Sequence, residues 1–448
     1  MVKDRKFYQT FFSIAVMVIL QNVVSLGVNM LDNIMLGRYG EAALSGVTAA
    51  NQIQFIYQQL LIGIGDGIVI LSSQYWGRKQ IKPIKKISSI GMRFMLGICL
   101  LLFLLASFFP EGMIGLFTND REIIAEGAKY VSVIRFTYLF FGITNILLST
   151  LRSIQIVKIA FYLSLSTLAI NGCLNWIFIY GHLGFPRMGA TGAALGTLVA
   201  RMAELLWLIL YLAKKEKILY LKFRDYLTVD RSLVKDYFRL CAPIILIQSL
   251  WGVNTALQTA VLGHLSRSVI VANSMASNLF LLVKSVAIGA SSTASVIIGK
   301  AIGEGNKKAL RQYARTFQVM FLCMGAICAV ILFLLTEPVL SLYNFTEQSE
   351  YYARAFLHIL CIVMVGMSYQ MPVNSGIIKG GGDTKYAMIL DLISIWCIVI
   401  PVSFIVAFVL DASPIIVVCC LNMDQIFKCI PAFIKVNFGH WARALTRN

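Results

Sequence analysis

The chain has 448 residues, of which 58% are hydrophobic and only 13% are charged, and its mean hydropathy is +0.77. A soluble domain carries about 25% charged residues, so the composition excludes an ordinary soluble protein. A net charge of +18 would suggest nucleic-acid binding in a soluble protein. Here the positions of the charges along the chain explain the excess without a nucleic-acid partner.

Apolar segments long enough to cross a bilayer, about 20 residues each, follow one another along the whole chain. The first is too long for the apolar core of a signal peptide and is interpreted as a retained span. Helices are predicted because backbone inside a bilayer must satisfy its own hydrogen bonds. Several segments exceed 25 residues, which predicts tilted or bent helices. The predicted spans are 7–36, 44–76, 84–109, 125–151, 159–181, 190–213, 236–263, 268–299, 312–335, 351–378, 386–410 and 413–434.

Lysine and arginine are divided unequally between alternate connections of these spans. One set of connections, which includes both termini, holds 26 of them, and the other set holds 4. Cytoplasmic loops carry such an excess in multi-span membrane proteins. We therefore predict a plasma-membrane protein with both termini in the cytoplasm, and no nucleic-acid partner.

An internal repeat relates the two halves of the chain. A shift of 226 residues places Leu36-Gly37 on Leu262-Gly263 and Gly77 on Gly303, and a shift of 227 places Arg152 on Lys379. This predicts two six-helix lobes, 1–213 and 236–448, joined by a cytoplasmic linker at 214–235. Six spans per half make the repeats parallel, as in transporters that alternate access between two sides. The predicted fold is an all-α polytopic membrane protein of about 12 transmembrane helices in two lobes related by a pseudo-two-fold axis.

An acidic residue stands out in the first span. Asn22, Ser25, Asn29 and Asp32 lie on one helix face. A charge at the bilayer centre costs on the order of 2.5–3.5 kcal/mol, so Asp32 is a candidate functional residue. The alternative is an acid near the outer end of the span that simply reaches water.

Other polar residues inside the spans predict the wall of a substrate cavity. Hydrogen bonding between helices is the alternative explanation for them. The cavity candidates are Asn29, Asn51, Gln54, Gln58, Asn254, Gln258, Gln370 and Asn374.

The remaining embedded charges form close pairs in sequence, with one exception. Arg201 and Glu204 are three residues apart, and Asp424 and Lys428 are four apart, which predicts local ion pairs. Asp391 has no partner close in sequence, and its role is left open.

Catalytic and nucleotide-binding motifs are absent from the sequence. There is no GxxxxGK[ST] motif and no HExxH motif, and only four histidines are present. The glycine-rich stretch 380–384 is predicted to be a turn. We therefore expect no enzyme and no cofactor, so uphill transport would have to use an ion gradient.

Several motifs resemble those of the MATE (multidrug and toxic compound extrusion) family, and together they cover nearly the whole chain. They are Asp32-Asn33-Ile34-Met35-Leu36-Gly37, Ser73-Gln74-Tyr75-Trp76-Gly77, Asn171-Gly172-Cys173-Leu174-Asn175-Trp176, Gly192-Ala193-Ala194-Leu195-Gly196-Thr197 and Ser375-Gly376-Ile377-Ile378-Lys379-Gly380 with Asp383-Thr384.

The resemblance implies a twelve-helix exporter driven by inward flow of H⁺ or Na⁺. Asp32 would then be the acid that binds the proton or the sodium ion, with Asn171, Asn175 and Thr197 as its polar partners. Asn175 stands where some members carry an aspartate, which removes one negative charge from this site.

The chain departs from the family pattern in its carboxyl-terminal half and in its first helix. Trp251 and Ser368 stand where some members carry a glutamate and an aspartate, which argues against a second cation site there. Some members bend the first helix at a proline, but this chain has none between Phe7 and Gly37, so a bend would have to use Gly27 or would not occur.

These observations predict a secondary active multidrug exporter that exchanges drug-like, cationic compounds for H⁺ or Na⁺ and works as a monomer in the lipid bilayer. The alternative is a lipid-linked oligosaccharide flippase of the same superfamily. Such flippases usually have about fourteen spans and a strongly cationic cavity, and these spans contain few Lys or Arg residues.

Overall fold

The computed structural model describes residues 1–226, 230–263, 267–341 and 346–446. In these ranges the regular structure is all helical, and there is no strand apart from one isolated bridge between Gly382 and Ala442. An all-helical protein is what the long apolar segments predict, because a helix satisfies its backbone hydrogen bonds internally.

The helices of the first half are long and separated by short connections. They are α1 (Arg5–Tyr39), α2 (Glu41–Gly77), α3 (Ile81–Phe108), α4 (Pro110–Gly115), α5 (Arg121–Ile134), α6 (Thr137–Ser153), α7 (Lys158–Tyr180) and α8 (Gly189–Lys214), followed by a 3₁₀ turn at Phe223–Tyr226.

The second half repeats this pattern, with more interruptions towards its end. Its helices are α9 (Arg231–Gly263), α10 (Arg267–Gly303), α11 (Lys307–Leu340), α12 (Glu347–Met371), α13 (Thr384–Leu392), α14 (Ile400–Phe408), α15 (Pro414–Asn422), α16 (Asp424–Phe427) and α17 (Cys429–Phe438).

The described chain has 10 helices long and apolar enough to cross a membrane, or 11 when α5 and α6, bent by 53° at a short break, are counted as one span. Helix α9 contains the predicted span 236–263 but is not among these 10 or 11 helices of the described chain. The predicted all-α fold is therefore confirmed. Helix α1 runs unbroken through Gly27, so no break in the helix occurs there.

Contacts divide the chain into two compact units. One, called the amino-terminal unit here, comprises residues 20–72 and 80–241. Buried tyrosines link its helices through backbone carbonyls: Tyr57 donates to the carbonyl of Tyr138 at 2.7 Å, and Tyr237 donates to that of Ile64 at 2.8 Å. Such bonds satisfy the hydroxyl where no water is present.

The carboxyl-terminal unit comprises residues 1–19, 73–79 and 242–448. The start of α1 lies against α11 in this unit through stacked aromatic rings. The ring centroid of Phe7 lies 4.7 Å from that of Tyr313 and 5.1 Å from that of Phe317. The lobe boundaries predicted from the sequence, at residues 213 and 236, stay a prediction.

Two π-helical stretches, Pro372–Ile378 and Ile393–Val399, interrupt the helices of the carboxyl-terminal unit. The first stretch begins at Pro372 and the second ends two residues before Pro401, and a proline has no N–H to donate to the carbonyl four residues earlier. The wider π turn accommodates the missing bond, and such turns are frequent at functional sites.

Candidate cation site and polar cavity residues

Asp32 lies on α1 against two asparagines of α7. Asn171 and Asn175 are one turn apart on α7, so their side chains lie on the same face, and both are fully buried. The Nδ2 atom of Asn175 donates to Oδ1 of Asp32 at 2.5 Å. A bond of this length to an ionisable carboxyl group is short, as charge-assisted hydrogen bonds are.

The hydrogen bonds continue from Asp32 through α7 to α8. Nδ2 of Asn175 also contacts Oδ1 of Asn171 at 3.2 Å, and Nδ2 of Asn171 donates to Oγ1 of Thr197 at 3.1 Å. The structure thus brings together all four residues that the family resemblance names for the site. Asn171 and Asn175 lie close together because they are one turn apart on α7. Asp32 on α1 and Thr197 on α8 lie close to them because the three helices pack together.

Small residues allow these helices to approach closely. A Cβ atom added to Gly172 would lie 2.9 Å from the side chain of Leu31 on α1, and one added to Gly196 would collide with Oδ1 of Asn175. Glycine and other small residues bring helix backbones together in membranes in this way. Gly172 and Gly196 therefore help to set the distance between Asp32 and its partners.

Arg201 on α8 is a charged neighbour of Asp32. Its guanidinium forms the predicted ion pair with Glu204 at 2.7 Å and stacks over the ring of Phe141 at 4.6 Å, which leaves a positive charge within electrostatic range of the carboxyl group of Asp32. The sequence revealed the pair with Glu204 but not the neighbour in α1. No sequence signal could have done so, because the spacing of Arg201 and Asp32 follows from packing alone.

The site offers oxygen atoms to a cation. Oδ1 of Asn175 is buried and has no hydrogen-bond partner among the described residues, and it belongs to the amide group whose Nδ2 donates to Asp32. Carboxylate, amide and hydroxyl oxygens are the ligands that hard cations prefer. The donor set therefore fits Na⁺, and the carboxylate by itself can take a proton.

The cavity candidates of the amino-terminal unit lie on two helices. Asn51, Gln54 and Gln58 are half-buried on one face of α2, and Oε1 of Gln54 is buried with no partner among the described residues. Asn29 is exposed on α1. These are polar groups that ligand or water can still satisfy, as a cavity wall requires.

The candidates of the carboxyl-terminal unit are more deeply buried. Asn254 is buried and accepts a bond from Nε2 of Gln258 at 3.4 Å. Asn374 lies in the first π stretch, with Oδ1 buried and unpartnered within the described ranges. Gln370 donates to Gln425 at 2.6 Å, so its amide is used in helix-to-helix bonding.

The carboxyl-terminal unit contains a buried group of three charged residues, of which the sequence predicted one pair. Nζ of Lys428 lies 2.9 Å from Oδ2 of Asp424, the predicted local pair, and also 2.9 Å from Oδ1 of Asp391. Lys428 is 3% exposed. Asp391 therefore has a partner 37 residues away, and Gln425 links the group onward to Gln370.

The ring of Trp251, which the family resemblance sets against a glutamate of some members, lies 5.2 Å from the ammonium group of Lys284. A positive charge at this place argues against a cation site on α9. The described residues contain no cluster of three or more His, Cys, Asp or Glu that could hold a metal ion.

A family model described as MatE matches residues 14–177 and 243–405, once in each half, as the internal repeat predicts. Among curated proteins, the probable multidrug resistance protein YoeA of Bacillus subtilis is 24% identical over 87% of this chain and 84% of its own length. The probable multidrug resistance protein NorM of Photorhabdus laumondii is 26% identical over 89% and 86%.

Solved structures share the fold at lower sequence identity. A MATE protein in complex with MaL6 superposes with a TM-score of 0.87 at 17% identity, over 95% of both chains. The eukaryotic MATE transporter AtDTX14 gives 0.83 at 18% identity, over 98% of this chain and 97% of its own. The agreement extends over nearly the full length of each chain.

Proposed function

The chain belongs to the MatE family, whose members are transporters and not enzymes, and we propose that it exports drug-like organic cations in exchange for H⁺ or Na⁺ by alternating access. The relatives named multidrug resistance proteins support export of varied small molecules. The ion exchange and the charge of the substrates are inferences from the residues of this chain.

The observation that carries the proposal is the hydrogen-bonded series from Asp32 through Asn175 and Asn171 to Thr197. An ionisable carboxyl group inside a span raises the free energy of the membrane-inserted protein. Such residues are therefore rare and are usually retained for a function. This one accepts a bond from an amide group whose oxygen has no partner among the described residues, and we propose the carboxylate and that oxygen as ligands of the cation. Binding neutralises the carboxylate, which changes the interactions between α1 and α7.

Exchange follows if the cation and the substrate favour different conformations. A ligand shifts a conformational equilibrium only through its different affinities for the two states. We propose that the cation stabilises the state in which Asp32 is neutral and that the drug stabilises the other state. No cofactor takes part, and a monomer is sufficient because one chain contains both repeats.

The asymmetry of lysine and arginine supports insertion in the plasma membrane with both termini in the cytoplasm. In this orientation, inward flow of the cation would drive outward movement of the substrate. Single cysteines introduced near Lys3 and near Lys217 should both be labelled by membrane-impermeant reagents only after the cells are opened.

The test is efflux of a fluorescent organic cation from proteoliposomes, with pH and Na⁺ gradients imposed separately. Asp32→Asn keeps the size of the side chain and its hydrogen bonding but removes the charge. We expect this variant to lose gradient-driven efflux while still binding the dye. The control is Asp411→Asn, which removes an exposed acid in a turn with φ of 46°.

Two results would contradict the proposal. Efflux by Asp32→Asn at the wild-type rate would remove the role of this carboxylate. Efflux by the wild-type protein with neither gradient imposed would remove ion exchange altogether.

A further inference from the structure

A long groove opens on the outer surface of the carboxyl-terminal unit between α11, α12 and the last helices, α16 and α17. Its volume is about 1220 Å³. Side chains along it are exposed although they are apolar: Phe333 on α11 by 57%, Ile362 on α12 by 67% and Ile430 on α17 by 65%. In a span as apolar as α11 such side chains face lipid.

The groove follows one face of α11 from Arg315 to Phe333. Eighteen residues of helix correspond to about 27 Å at 1.5 Å per residue. One leaflet contributes about half of a hydrocarbon core that is roughly 30 Å thick. The groove is therefore long enough for a complete acyl chain that starts at the Arg315 end.

Small residues form the floor of the groove. Cys361 and Gly366 of α12 line it, together with Ala329 of α11. A Cβ atom on Gly366 would lie 2.6 Å from the carbonyl oxygen of Gln425, so only glycine allows α12 to lie this close to α16. Gly366 thus determines how closely α12 and α16 approach beside the groove.

One end of the groove is polar. Tyr369 and Asn437 both donate to Oε1 of Gln318, at 2.8 and 2.9 Å, and these bonds close that end. Arg315 lies one turn of α11 away on the same face. It is exposed and forms no ion pair within the part of the chain that the structure describes.

We propose that this groove binds an anionic phospholipid, with one acyl chain along α11 and the phosphate at Arg315. A guanidinium recognises phosphate by charge and by its fork of N–H groups. The same end of α11 carries Lys307 and Lys308, which adds attraction for an anionic lipid surface. A neutral lipid would fill the apolar part equally well but would leave Arg315 without a counter-charge.

The experiment is native mass spectrometry of the purified full-length protein, delipidated and then titrated with phosphatidylglycerol or phosphatidylcholine of the same acyl chains. The variants are Arg315→Gln, which removes the charge in the groove, and Ala329→Phe, which fills it. Arg311→Gln is the matched control, because it removes a neighbouring basic charge that does not line the groove. Thermal unfolding in detergent checks that each variant is folded.

We expect the wild type to prefer phosphatidylglycerol and Arg315→Gln to lose about fivefold in affinity for it, the effect of one basic residue at an anionic surface. Ala329→Phe should weaken both lipids, and Arg311→Gln should change little. Equal binding of the two lipids by the wild type, or equal losses in Arg315→Gln and Arg311→Gln, would overturn the proposal. Replacement of bound phosphatidylglycerol by a hydrophobic dye in competition, with no dependence on Arg315, would instead make the groove a drug site.

Discussion

Gly77, at the end of α2, lies against Gly303, at the end of α10, and the two residues are equivalent in the internal repeat. A Cβ atom built on either glycine would lie 3.0 Å from the Cα atom of the other. It would also collide with a carbonyl oxygen, that of Lys300 for Gly77 and that of Gln74 for Gly303. Gln74 and Lys300 are themselves 226 residues apart, so the contact is reciprocal.

We predict that alanine is not tolerated at this contact. Gly77→Ala and Gly303→Ala should each destabilise the protein by about 1–3 kcal/mol, because backbone atoms rather than flexible side chains would have to move. The measurement is the unfolding midpoint in detergent. Gly97→Ala on α3 is the control, because its Cβ would meet nothing within 4 Å. Equal midpoints for Gly77→Ala and Gly97→Ala would show that the contact between Gly77 and Gly303 has room for a methyl group.

A second prediction concerns the charge at the candidate cation site. Asn175→Asp would place a second carboxylate beside Asp32, and two like charges at this distance are relieved by a bound cation. We expect the H⁺ or Na⁺ concentration that gives half-maximal efflux to fall by about tenfold, which corresponds to ~1.4 kcal/mol. Turnover should slow, because the cation leaves less readily.

The control for this variant is Asn33→Asp, which adds an acid next to Asp32 in sequence but at an exposed position. Its cation dependence should match that of the wild type. If Asn175→Asp and Asn33→Asp behaved alike, the effect would come from general surface charge and not from the hydrogen-bonded site.

A third prediction follows from the buried charges of Asp391, Asp424 and Lys428. Lys428→Met should destabilise the protein by about 3–5 kcal/mol, because it removes the ammonium group that lies 2.9 Å from both carboxylates. Adding Asp391→Asn and Asp424→Asn to the same chain should recover most of the loss. Unfolding in detergent measures both steps. Lys129→Met, which breaks an exposed pair, should cause no measurable change.

Failure of the triple variant to recover stability would mean that Lys428 contributes by packing and not by charge. Recovery of stability together with loss of dye efflux would give the group a role in transport.

A fourth prediction concerns pH and the segment before α9, where two ion pairs attach it to α3. Lys85 lies 3.0 Å from Asp225, and Lys86 lies 3.0 Å from Asp230. Hydrogen bonds from Ser232 and the ammonium group of Lys86 hold the pKa of Asp230 well below its usual range.

Burial alone would raise the pKa of Asp225, but the backbone N–H of Lys222 and the ammonium group of Lys85 lower it by more, so its pKa is also depressed. A depressed pKa gives stability that is present above the unfolded value, about 3.9, and lost as the pH falls through the folded value. We therefore expect the attachment of the segment to be intact at neutral pH and to weaken progressively as the pH falls below about 4.

Hydrogen exchange of residues 220–226 at pH 7 and pH 3, corrected for the intrinsic rate, measures this change. The double variant Lys85→Met/Lys86→Met should show at pH 7 the faster exchange that the wild type shows only in acid. Equal protection of the wild type at both pH values would mean that other contacts hold the segment.

Properties that depend on local composition could be predicted from the sequence. The helical spans, the repeat and the pair Asp424–Lys428 all follow from residue types at fixed spacing, because hydropathy and helix periodicity act over a few turns. The grouping of Asp32 with Asn171, Asn175 and Thr197 as a cation site came from the resemblance to a family and stays a prediction, although hydrogen bonds join the four residues in the structure.

Only the tertiary structure decided which distant residues meet. Asp32 and Asn175 are 143 residues apart, and Asp391 and Lys428 are 37 apart, so no periodicity relates either pair. Their contacts depend on glycines that bring helices together and on side-chain packing along several helices at once. The sequence by itself therefore determined a membrane protein of two repeated halves, and packing decided where its buried charges find their partners.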